Sequence, residues 1–308
     1  MKKLLSVILS LVMLAGIFTG CSKEIVPTAT PESTPAVSGN ISIAGSSALN
    51  FLAIVSAGQI KMIYPGVLAS AVSSSSGEGL SNVCEGTIDI GNSDVYAEEM
   101  LTPDDADKHV DHKICVVGIS VIVNEDVGTY VKNLTKDQLK NIFTGQITNW
   151  NEVGGPDEVI TLINRSSSSG TRALFTKWAL EGQNIVENAQ SIQAENSLSL
   201  LTGVNNTTGA IGYLALSYIL DQSPDTEKIN KVQIDGVDAT YENIYSNKYQ
   251  VWGYEHMYTK GEPNAQTKAF LDYMVLMDGI QETSSPSQLE TMGFGLISKL
   301  SPEAAASR

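Results

Sequence analysis

Residues 164–172 read Asn-Arg-Ser-Ser-Ser-Ser-Gly-Thr-Arg and lead into the helix-like run Ala173–Leu180. Arg165 offers a planar fork of charged donors, the serines and Thr171 offer hydroxyls, and Gly170 lets the backbone approach a ligand closely. The first amides of a helix have no partners inside it, so their dipoles favour negative charge. Serine and glycine also form ordinary solvated turns, but the arginine and the helix favour an anion-binding loop.

The same strand, polar loop and helix recur along the chain. Val159–Asn164 is a predicted strand that feeds the arginine loop. Earlier units are the strand Ile41–Ala44 with the helix Ala48–Tyr64, the strand Val67–Val72 with the helix Glu78–Cys84, and the strand Gly86–Gly91, which ends at Asn92-Ser93-Asp94. This alternation predicts an α/β fold whose polar loops gather at the carboxyl ends of the strands and face one crevice.

Further elements follow from apolar periodicity and turn residues. Lys113–Asn124 is a predicted buried strand in which Gly118 marks a bend. The other predicted elements are the helices Thr135–Phe143 and Asn264–Met277, the turn-rich connector Gly145–Gly155, and the strands Gly209–Tyr213, Lys231–Ile234 and Tyr249–Thr259.

The first forty residues predict export. Lys2 and Lys3 precede an apolar stretch that ends at Phe18-Thr-Gly-Cys21, which is typical of a secretory signal and resembles the lipobox of bacterial lipoproteins. We therefore expect residues 1–20 to be a signal peptide and Cys21 to carry a lipid. Residues 21–40 are rich in proline, threonine and serine and predict a disordered tether to the outer face of the cell membrane. A plain cleaved signal with an incidental cysteine is the alternative.

The length and the net charge of the chain limit the classes of function that it could have. The part of the 308-residue chain beyond residue 40 is longer than a single core usually organises, so two domains are expected. The formal net charge of −15 argues against nucleic acid and anionic membrane surfaces as partners. A local site of directed hydrogen bonds can still bind an anion, because salt screens the diffuse surface field within about 10 Å.

Other reactive residues leave alternatives open. Cys84 and Cys115 could form a disulfide or remain free thiols. His109 and His112 lie in an acidic segment and are more typical of solvated side chains than of a metal site. The sequence contains no Walker loop and no Gly-x-Ser-x-Gly elbow, and we expect neither a catalytic residue nor a cofactor.

The chain resembles the phosphate-binding proteins that deliver inorganic phosphate to an ABC importer. The matching stretches are GSSAL at 45–49, SSSSGEG at 73–79, GTIDIGNSD at 86–94, IFTGQITNWNEVGG at 142–155, NRSSSSGTR at 164–172, GAIGYLALSY at 209–218 and WGYEHMYTKGEP at 252–263. No single stretch is specific, but their combination is.

This resemblance implies a type II periplasmic-binding-protein-like fold, with two α/β domains around a central cleft and two crossing hinge strands. The crossings are expected near Val117–Val123 and Tyr249–Tyr254. Domain I is then discontinuous, covering residues 41–120 and 253–308, and domain II covers residues 121–252. The implied partners are phosphate and the permease subunits, and the protein is expected to be a monomer.

The resemblance also implies the ligand-binding residues. The first loop carries a hydroxyl and backbone amides, the second loop one or both of two serines, and the arginine loop the remaining donors, with an aspartate between them. The set comprises Ser46, Ser47, Ala48, Ser75, Ser76, Asp94, Arg165, Ser169, Gly170 and Thr171. The family often has an acidic residue two places after the arginine to pair with it, whereas this chain has Ser167.

Asp94 predicts which anion is bound. A carboxylate beside a bound anion is repulsive unless the anion brings a proton, and near neutral pH phosphate has one and sulfate does not. Asp94 would therefore accept a hydrogen bond from phosphate and face sulfate as an unpaired charge. The alternatives are a helix-capping or surface role for Asp94, a phosphoester hydrolase on the same fold, and a binder of another oxyanion such as sulfate, molybdate or a phosphonate.

Overall fold

Strand, loop and helix alternate through the residues that the computed structural model describes, which are 37–182, 190–219, 226–279 and 287–308. The strands are β1 Ser38–Ser46, β2 Gly66–Ser74, β3 Ile90–Ser93, β4 His109–Asn124, β5 Asn133–Leu134, β6 Thr161–Arg165, β7 Ile192–Ala194, β8 Ala210–Ala215, β9 Ile229–Ile234 and β10 Trp252–Lys260.

The helices flank these strands. They are α1 Asn50–Ile63, α2 Ser76–Glu85, α3 Pro103–Ala106, α4 Glu125–Gly128, α5 Lys136–Phe143, α6 Gly170–Trp178, α7 Ser197–Asn206, α8 Leu216–Ile219, α9 Tyr241–Tyr245, α10 Ala265–Gly279, α11 Gln288–Thr291 and α12 Pro302–Ala305. Short 3₁₀ turns lie at Ala97–Glu99, Trp150–Val153 and Ile297–Lys299.

Side-chain caps fix where the helices near the site begin. Ser75 and Glu78 form a reciprocal capping box at the start of α2, and Asn196 and Ser199 form another at the start of α7. Ser169 caps α6 by accepting a hydrogen bond from the Arg172 amide at 3.3 Å. Such caps satisfy amides that have no partner within the helix, so the polar loop residues determine the first turn of each helix.

One ladder of ten strands runs through the described residues, in the order β2-β1-β3-β10-β4-β8-β6-β7, with β9 also beside β4 and β5 beside β9. We call β1, β2, β3 and β10 the β1 half, and β6, β7, β8 and β9 the β8 half. Strand β4 joins the halves because its residues up to Gly118 pair with β10 and those from Ile119 onward pair with β8. The predicted bend at Gly118 lies where β4 changes partners.

Strand β4 is also central to the apolar core. Its residues from Ile114 to Asn124 are all buried, as expected of an apolar run covered on both faces. Core side chains from β1, α1 and α10 pack around Ile114, whereas those from β8 and α7 pack around Ile122. Residues Ala36–Arg308 form one compact unit.

The structure confirms the α/β class and the alternation but corrects several element bounds. The predicted strand Gly86–Gly91 is wrong, because α2 continues to Glu85 and Gly86 ends it in a left-handed conformation at φ 76°. The strand begins only at Ile90. Strand β4 begins four residues earlier than predicted, at His109, since its exposed first residues pair with β10.

The predicted tether is also too long at its carboxyl end. Strand β1 begins at Ser38, where it pairs with Gly66 of β2, so Ser38, Gly39 and Asn40 belong to the sheet. The rest of the tether, the leader and Cys21 lie outside the described residues. Among the helices that the structure describes, none combines the length and the apolar character needed to cross a bilayer.

Candidate functional site

The first loop of the site follows β1. Ser46 and Ser47 are both buried, and the Ser46 hydroxyl accepts a hydrogen bond from the Ala48 amide at 3.0 Å. A Cβ atom on Gly45 would lie 2.2 Å from the carbonyl oxygen of Asn92, and Gly45 has a φ of 139°. Only glycine therefore allows the ends of β1 and β3 to approach so closely. The Ala48 amide, which the resemblance led us to expect would face a ligand, donates to the Ser46 hydroxyl instead.

Ser47 connects this loop to the other half of the sheet. Its hydroxyl lies 2.7 Å from the hydroxyl of Ser197 and accepts a hydrogen bond from the Ser197 amide at 3.1 Å. The Tyr218 hydroxyl donates to the Ser47 carbonyl oxygen at 2.9 Å. Ser47 is thus held by residues of the helices that flank β8.

The structure distinguishes the two serines of the second loop. The Ser75 hydroxyl accepts from the Glu78 amide at 3.3 Å as part of the α2 cap. The Ser76 hydroxyl is fully buried and accepts from the Asp94 amide at 3.2 Å. The Ser75 hydroxyl therefore caps α2, whereas the Ser76 hydroxyl contacts Asp94.

Asp94 is a buried carboxylate at the end of β3, only 1% exposed. Its Oδ2 accepts a hydrogen bond from the Thr171 hydroxyl at 2.6 Å. Its Oδ1 is buried and has no hydrogen-bond partner among the described residues. The interpretation of Asp94 as a helix-capping or surface acid is wrong, because the side chain is enclosed and contacts the start of α6.

Arg165 is equally enclosed at the end of β6, with 1% of its surface exposed. Its Nη1 donates to the Ser197 hydroxyl at 3.3 Å, and its Nη2 donates to the Glu195 carbonyl oxygen at 3.4 Å. Its Nε is buried without a hydrogen-bond partner in the described part of the chain. Burial lowers the pKa of Arg165, and the nearby Asp94 opposes that shift, so the guanidinium stays charged at neutral pH.

The start of α6 closes the site from the β8 half. Ser169, Gly170 and Thr171 are all buried. A Cβ atom on Gly170 would lie 2.3 Å from the Ser76 Oγ and 3.0 Å from the Asp94 Cβ. Glycine is therefore the only residue type at position 170 that lets the amino end of α6 contact both side chains. The dipole of α6 adds positive potential at the same place.

Several connections cross between the halves of the sheet around this site. Besides the Ser47–Ser197 and Asp94–Thr171 contacts, the Gly77 amide donates to the Ser168 carbonyl oxygen at 3.0 Å. Lys177 of α6 and Glu99 form an ion pair at 3.0 Å. The predicted loops thus meet in two sets of contacts. One joins Ser47, Ser197 and Arg165, and the other joins Ser76, Asp94, Gly170 and Thr171, with Asp94 in electrostatic range of Arg165.

Sequence reasoning missed Ser197 at the start of α7. Its hydroxyl contacts both Ser47 and Arg165, which come from opposite halves of the sheet. The signal was available, because Asn196-Ser197 precedes a periodic apolar run, as the other polar loops precede their helices. Ser167, which stands where the resemblance leads one to expect an acid, is exposed.

The remaining reactive residues lie elsewhere. Cys84 and Cys115 are both free thiols, and the Cys84 thiol donates to Asp105 at 3.4 Å. Both ring nitrogens of His109 lie within 2.9 Å of backbone carbonyl oxygens, of Asp105 and Leu80. Within the described ranges no group of three or more His, Cys, Asp or Glu side chains could hold a metal ion.

Comparison with known proteins gives consistent matches. The family model described as PBP superfamily domain matches residues 30–277. A phosphate-binding protein PstS of Bacillus subtilis is 45% identical over 237 residues, which is 77% of this chain and 75% of that protein. PstS of Staphylococcus epidermidis is 26% identical over 182 residues, or 58% of this chain and 54% of that protein.

Solved structures give the same result. The chain is 28% identical, with a TM-score of 0.72, to a structure described as a phosphate ABC transporter substrate-binding protein with bound phosphate from Clostridium perfringens, over 84% of this chain and 100% of that one. It is 25% identical, with a TM-score of 0.63, to an ABC-type phosphate transport receptor from Vibrio cholerae, over 83% of this chain and 99% of that one.

Proposed function

The chain belongs to the PBP superfamily and, within it, to the phosphate-binding proteins PstS, and from that premise we propose that the site described above binds inorganic phosphate. The protein is an extracytoplasmic substrate-binding component of a phosphate ABC transporter. It binds the anion reversibly and passes it to the permease.

One observation carries the assignment of the site. Arg165 Nε, a donor, and Asp94 Oδ1, an acceptor, are both buried and have no hydrogen-bond partner among the described residues. Leaving such a group unpaired costs about 1–3 kcal/mol, and more when it is charged. A ligand that satisfies both must accept from a guanidinium and donate to a carboxylate. Phosphate near neutral pH does both.

The remaining donors suit the other phosphate oxygens. Ser47 and Ser76 bring buried hydroxyls to the same contacts, and the start of α6 adds the positive end of a helix dipole. The Thr171 hydroxyl donates to Asp94 and holds that carboxylate in place. The proposed ligand-binding set is Ser46, Ser47, Ala48, Ser75, Ser76, Asp94, Arg165, Ser169, Gly170 and Thr171. Within it, Ser75, Ala48 and Ser46 act mainly by holding the loops, because their capping bonds are internal.

Asp94 makes the site selective for phosphate over sulfate. Sulfate has no proton at neutral pH, so it would leave the Asp94 carboxylate buried beside a second negative charge. Phosphate replaces that repulsion with a charge-assisted hydrogen bond. The binder of sulfate or another oxyanion is therefore the weaker alternative.

We also propose that the site lies between two domains, residues 41–120 with 253–308 and residues 121–252. The change of partners along β4 at Gly118 supports a crossing near Val117–Val123, and the start of β10 supports one near Tyr249–Tyr254. The contacts that join the halves of the sheet then belong to a closed form that the permease recognises. The protein acts as a monomer, because one chain supplies the whole binding set.

The alternative of a phosphoester hydrolase has little support. The relatives are named as phosphate-binding and transport proteins. The proposed binding set positions donors around an anion, and none of its hydroxyls is paired with a histidine base of the kind that activates a serine nucleophile.

Anchoring is a separate proposal. The sequence Phe18-Thr-Gly-Cys21 supports processing before Cys21 and attachment of lipid to it. A Pro- and Ser-rich tether would then hold the folded unit away from the outer face of the membrane.

Equilibrium dialysis with radiolabelled phosphate tests the proposed function. The wild-type protein should retain one phosphate per chain, and Arg165→Lys, which keeps the charge but loses the fork, should bind far more weakly. Failure of the wild-type protein to retain phosphate would overturn the proposal.

A further inference from the structure

Glu255 is a buried acid that the binding site as described does not use. It lies on β10 within the stretch Trp252-Gly-Tyr-Glu-His256 and is 0% exposed. Neither carboxyl oxygen has a hydrogen-bond partner with good geometry among the described side chains and backbone. An ionised carboxylate in such a place is very costly, so the group must be neutral or closely partnered.

Strand pairing places Glu255 beside Asp94. Strands β10 and β3 are antiparallel, and His256 pairs with Ser93. Continued by one residue, this register places Glu255 opposite Asp94, where side chains of an antiparallel pair are neighbours on one face. The two carboxyl groups interact directly. On its other side, Glu255 pairs with Cys115 of β4. Two carboxyl groups that share a buried site do not both ionise.

The neighbouring charged groups determine which of the two carboxyl groups, Asp94 or Glu255, is protonated. Among the described residues, Asp94 after β3, Cys115 of β4, Tyr218 of α8 and Tyr241 of α9 interact electrostatically with Glu255, and none of these four is a cation. Burial, reinforced by the Asp94 charge, raises the pKa of Glu255 well above its usual value. The cation Arg165 lies within electrostatic range of Asp94.

We propose that Glu255 is a specificity-determining positioning residue, a neutral carboxylic acid whose hydroxyl donates to Asp94 and holds Asp94 as the anion that accepts the proton of bound phosphate. This inference rests on the proposed function. An ionised carboxylate has about four lone-pair positions, so Asp94 can accept from Thr171, from Glu255 and from the ligand together.

The shared proton predicts how binding depends on pH. At alkaline pH the pair would lose its remaining proton, and two buried charges would repel phosphate. The site therefore binds phosphate and excludes sulfate while the Asp94 and Glu255 pair carries a single negative charge.

Two variants distinguish the effect of the hydrogen-bond donor of Glu255 from the effect of its side-chain size. Glu255→Gln keeps a neutral donor of the same size, and Glu255→Leu removes the donor. At neutral pH we expect the phosphate Kd of Glu255→Gln to stay within about threefold of wild type and that of Glu255→Leu to rise about tenfold or more. Glu255→Gln should also lose the alkaline decline in affinity. The exposed Glu98→Gln is the matched control and should change neither quantity.

Infrared difference spectroscopy of the phosphate-free proteins at neutral pH tests the proton directly. A carboxylic acid band should be present in wild type and Glu98→Gln and absent from Glu255→Gln. The same band in Glu255→Gln, or equal loss of phosphate affinity in Glu255→Gln and Glu255→Leu, would overturn the inference. The spectra need no ligand, so they decide the inference even if Glu255→Leu fails to fold. Failure of wild type to bind phosphate would instead overturn the proposed function.

Discussion

Arg165 is positioned without an acidic partner. Its guanidinium is buried, and its two terminal nitrogens donate to the Ser197 hydroxyl and the Glu195 carbonyl oxygen. Neutral acceptors hold the fork in place without neutralising its charge, which remains available to a bound anion. Ser167 is exposed, so the acid expected at that position by resemblance is not needed to orient Arg165.

Replacing Ser197 tests this arrangement. Ser197→Ala removes a hydroxyl that contacts both Arg165 and Ser47, so the phosphate Kd should rise about tenfold. Calorimetric titration measures the change. Ser167→Ala is the matched control and should bind like wild type. Equal effects of the two replacements would contradict the role given to Ser197.

The residues of the site were only partly predictable. Arg165 stands out because an arginine and four serines before a helix start favour an anion site, whereas Asp94 was assigned to the site only through the resemblance. Ser197 was missed because it lies 150 residues from Ser47, and only the fold brings the two hydroxyls together. The choice between Ser75 and Ser76 depends on where α2 begins, which the run of four serines does not specify.

At the scale of elements, α6 follows β6 of the β8 half and contacts residues of the β1 half. Gly170 at its start lies against Ser76 and Asp94, where any Cβ atom would overlap the Ser76 hydroxyl. The contact brings the positive end of the helix to the binding residues. It also makes the fit between the halves sensitive to a single methyl group.

Gly170→Ala should therefore prevent the close approach of α6. Phosphate affinity should fall about tenfold or more, because the added methyl group displaces Ser76 or the helix start. Gly58→Ala is the control, since a Cβ atom there meets nothing within 4 Å. It should leave binding unchanged and stabilise α1 by about 0.5–1 kcal/mol. Dialysis and urea unfolding measure the two quantities, and wild-type affinity in Gly170→Ala would contradict the prediction.

The elements themselves were mostly predictable, since alternating apolar strands and capped helices have distinct periods. The errors in the element bounds arose where a residue is compatible with more than one type of local structure. Gly86 reads as the start of a strand but ends α2 in a left-handed conformation. His109 reads as part of an exposed acidic segment but pairs with Lys260 of β10, because the opposite strand is long enough to reach it.

At the scale of the whole molecule, the buried Glu255 links stability to pH. A carboxyl whose folded pKa is raised stabilises the folded state fully below its unfolded pKa of about 4.3 and loses that contribution as pH rises through the folded pKa. Glu255→Gln cannot ionise, so this variant does not lose stability as the pH rises. In phosphate-free buffer its free energy of unfolding should exceed that of wild type at neutral pH, because the difference grows by about 1.4 kcal/mol for each pH unit above 4.3 while Glu255 stays protonated in the folded state.

Urea unfolding at several pH values measures this difference. The wild-type and Glu255→Gln curves should converge in acid, where Glu255 is protonated in both the folded and unfolded states. Curves that remain parallel at every pH would show that Glu255 is ionised in the folded protein.

Membrane attachment is also a property of the whole molecule. Replacing Cys21 by serine removes the proposed acceptor of the lipid, so the protein should move from the membrane fraction to the surrounding medium. Cell fractionation followed by immunoblotting measures the distribution, and Cys84→Ser is the matched control. An unchanged membrane fraction for Cys21→Ser would contradict the proposed anchor.

The central claim is that a buried carboxylate selects phosphate by its proton. Calorimetric titration of phosphate and sulfate into wild-type protein and Asp94→Asn, with the exposed Asp104→Asn as control, tests it most directly. We predict that wild type prefers phosphate over sulfate by about a hundredfold or more and that Asp94→Asn loses most of this preference. Equal affinity of wild type for both anions, or an unchanged preference in Asp94→Asn, would contradict the account.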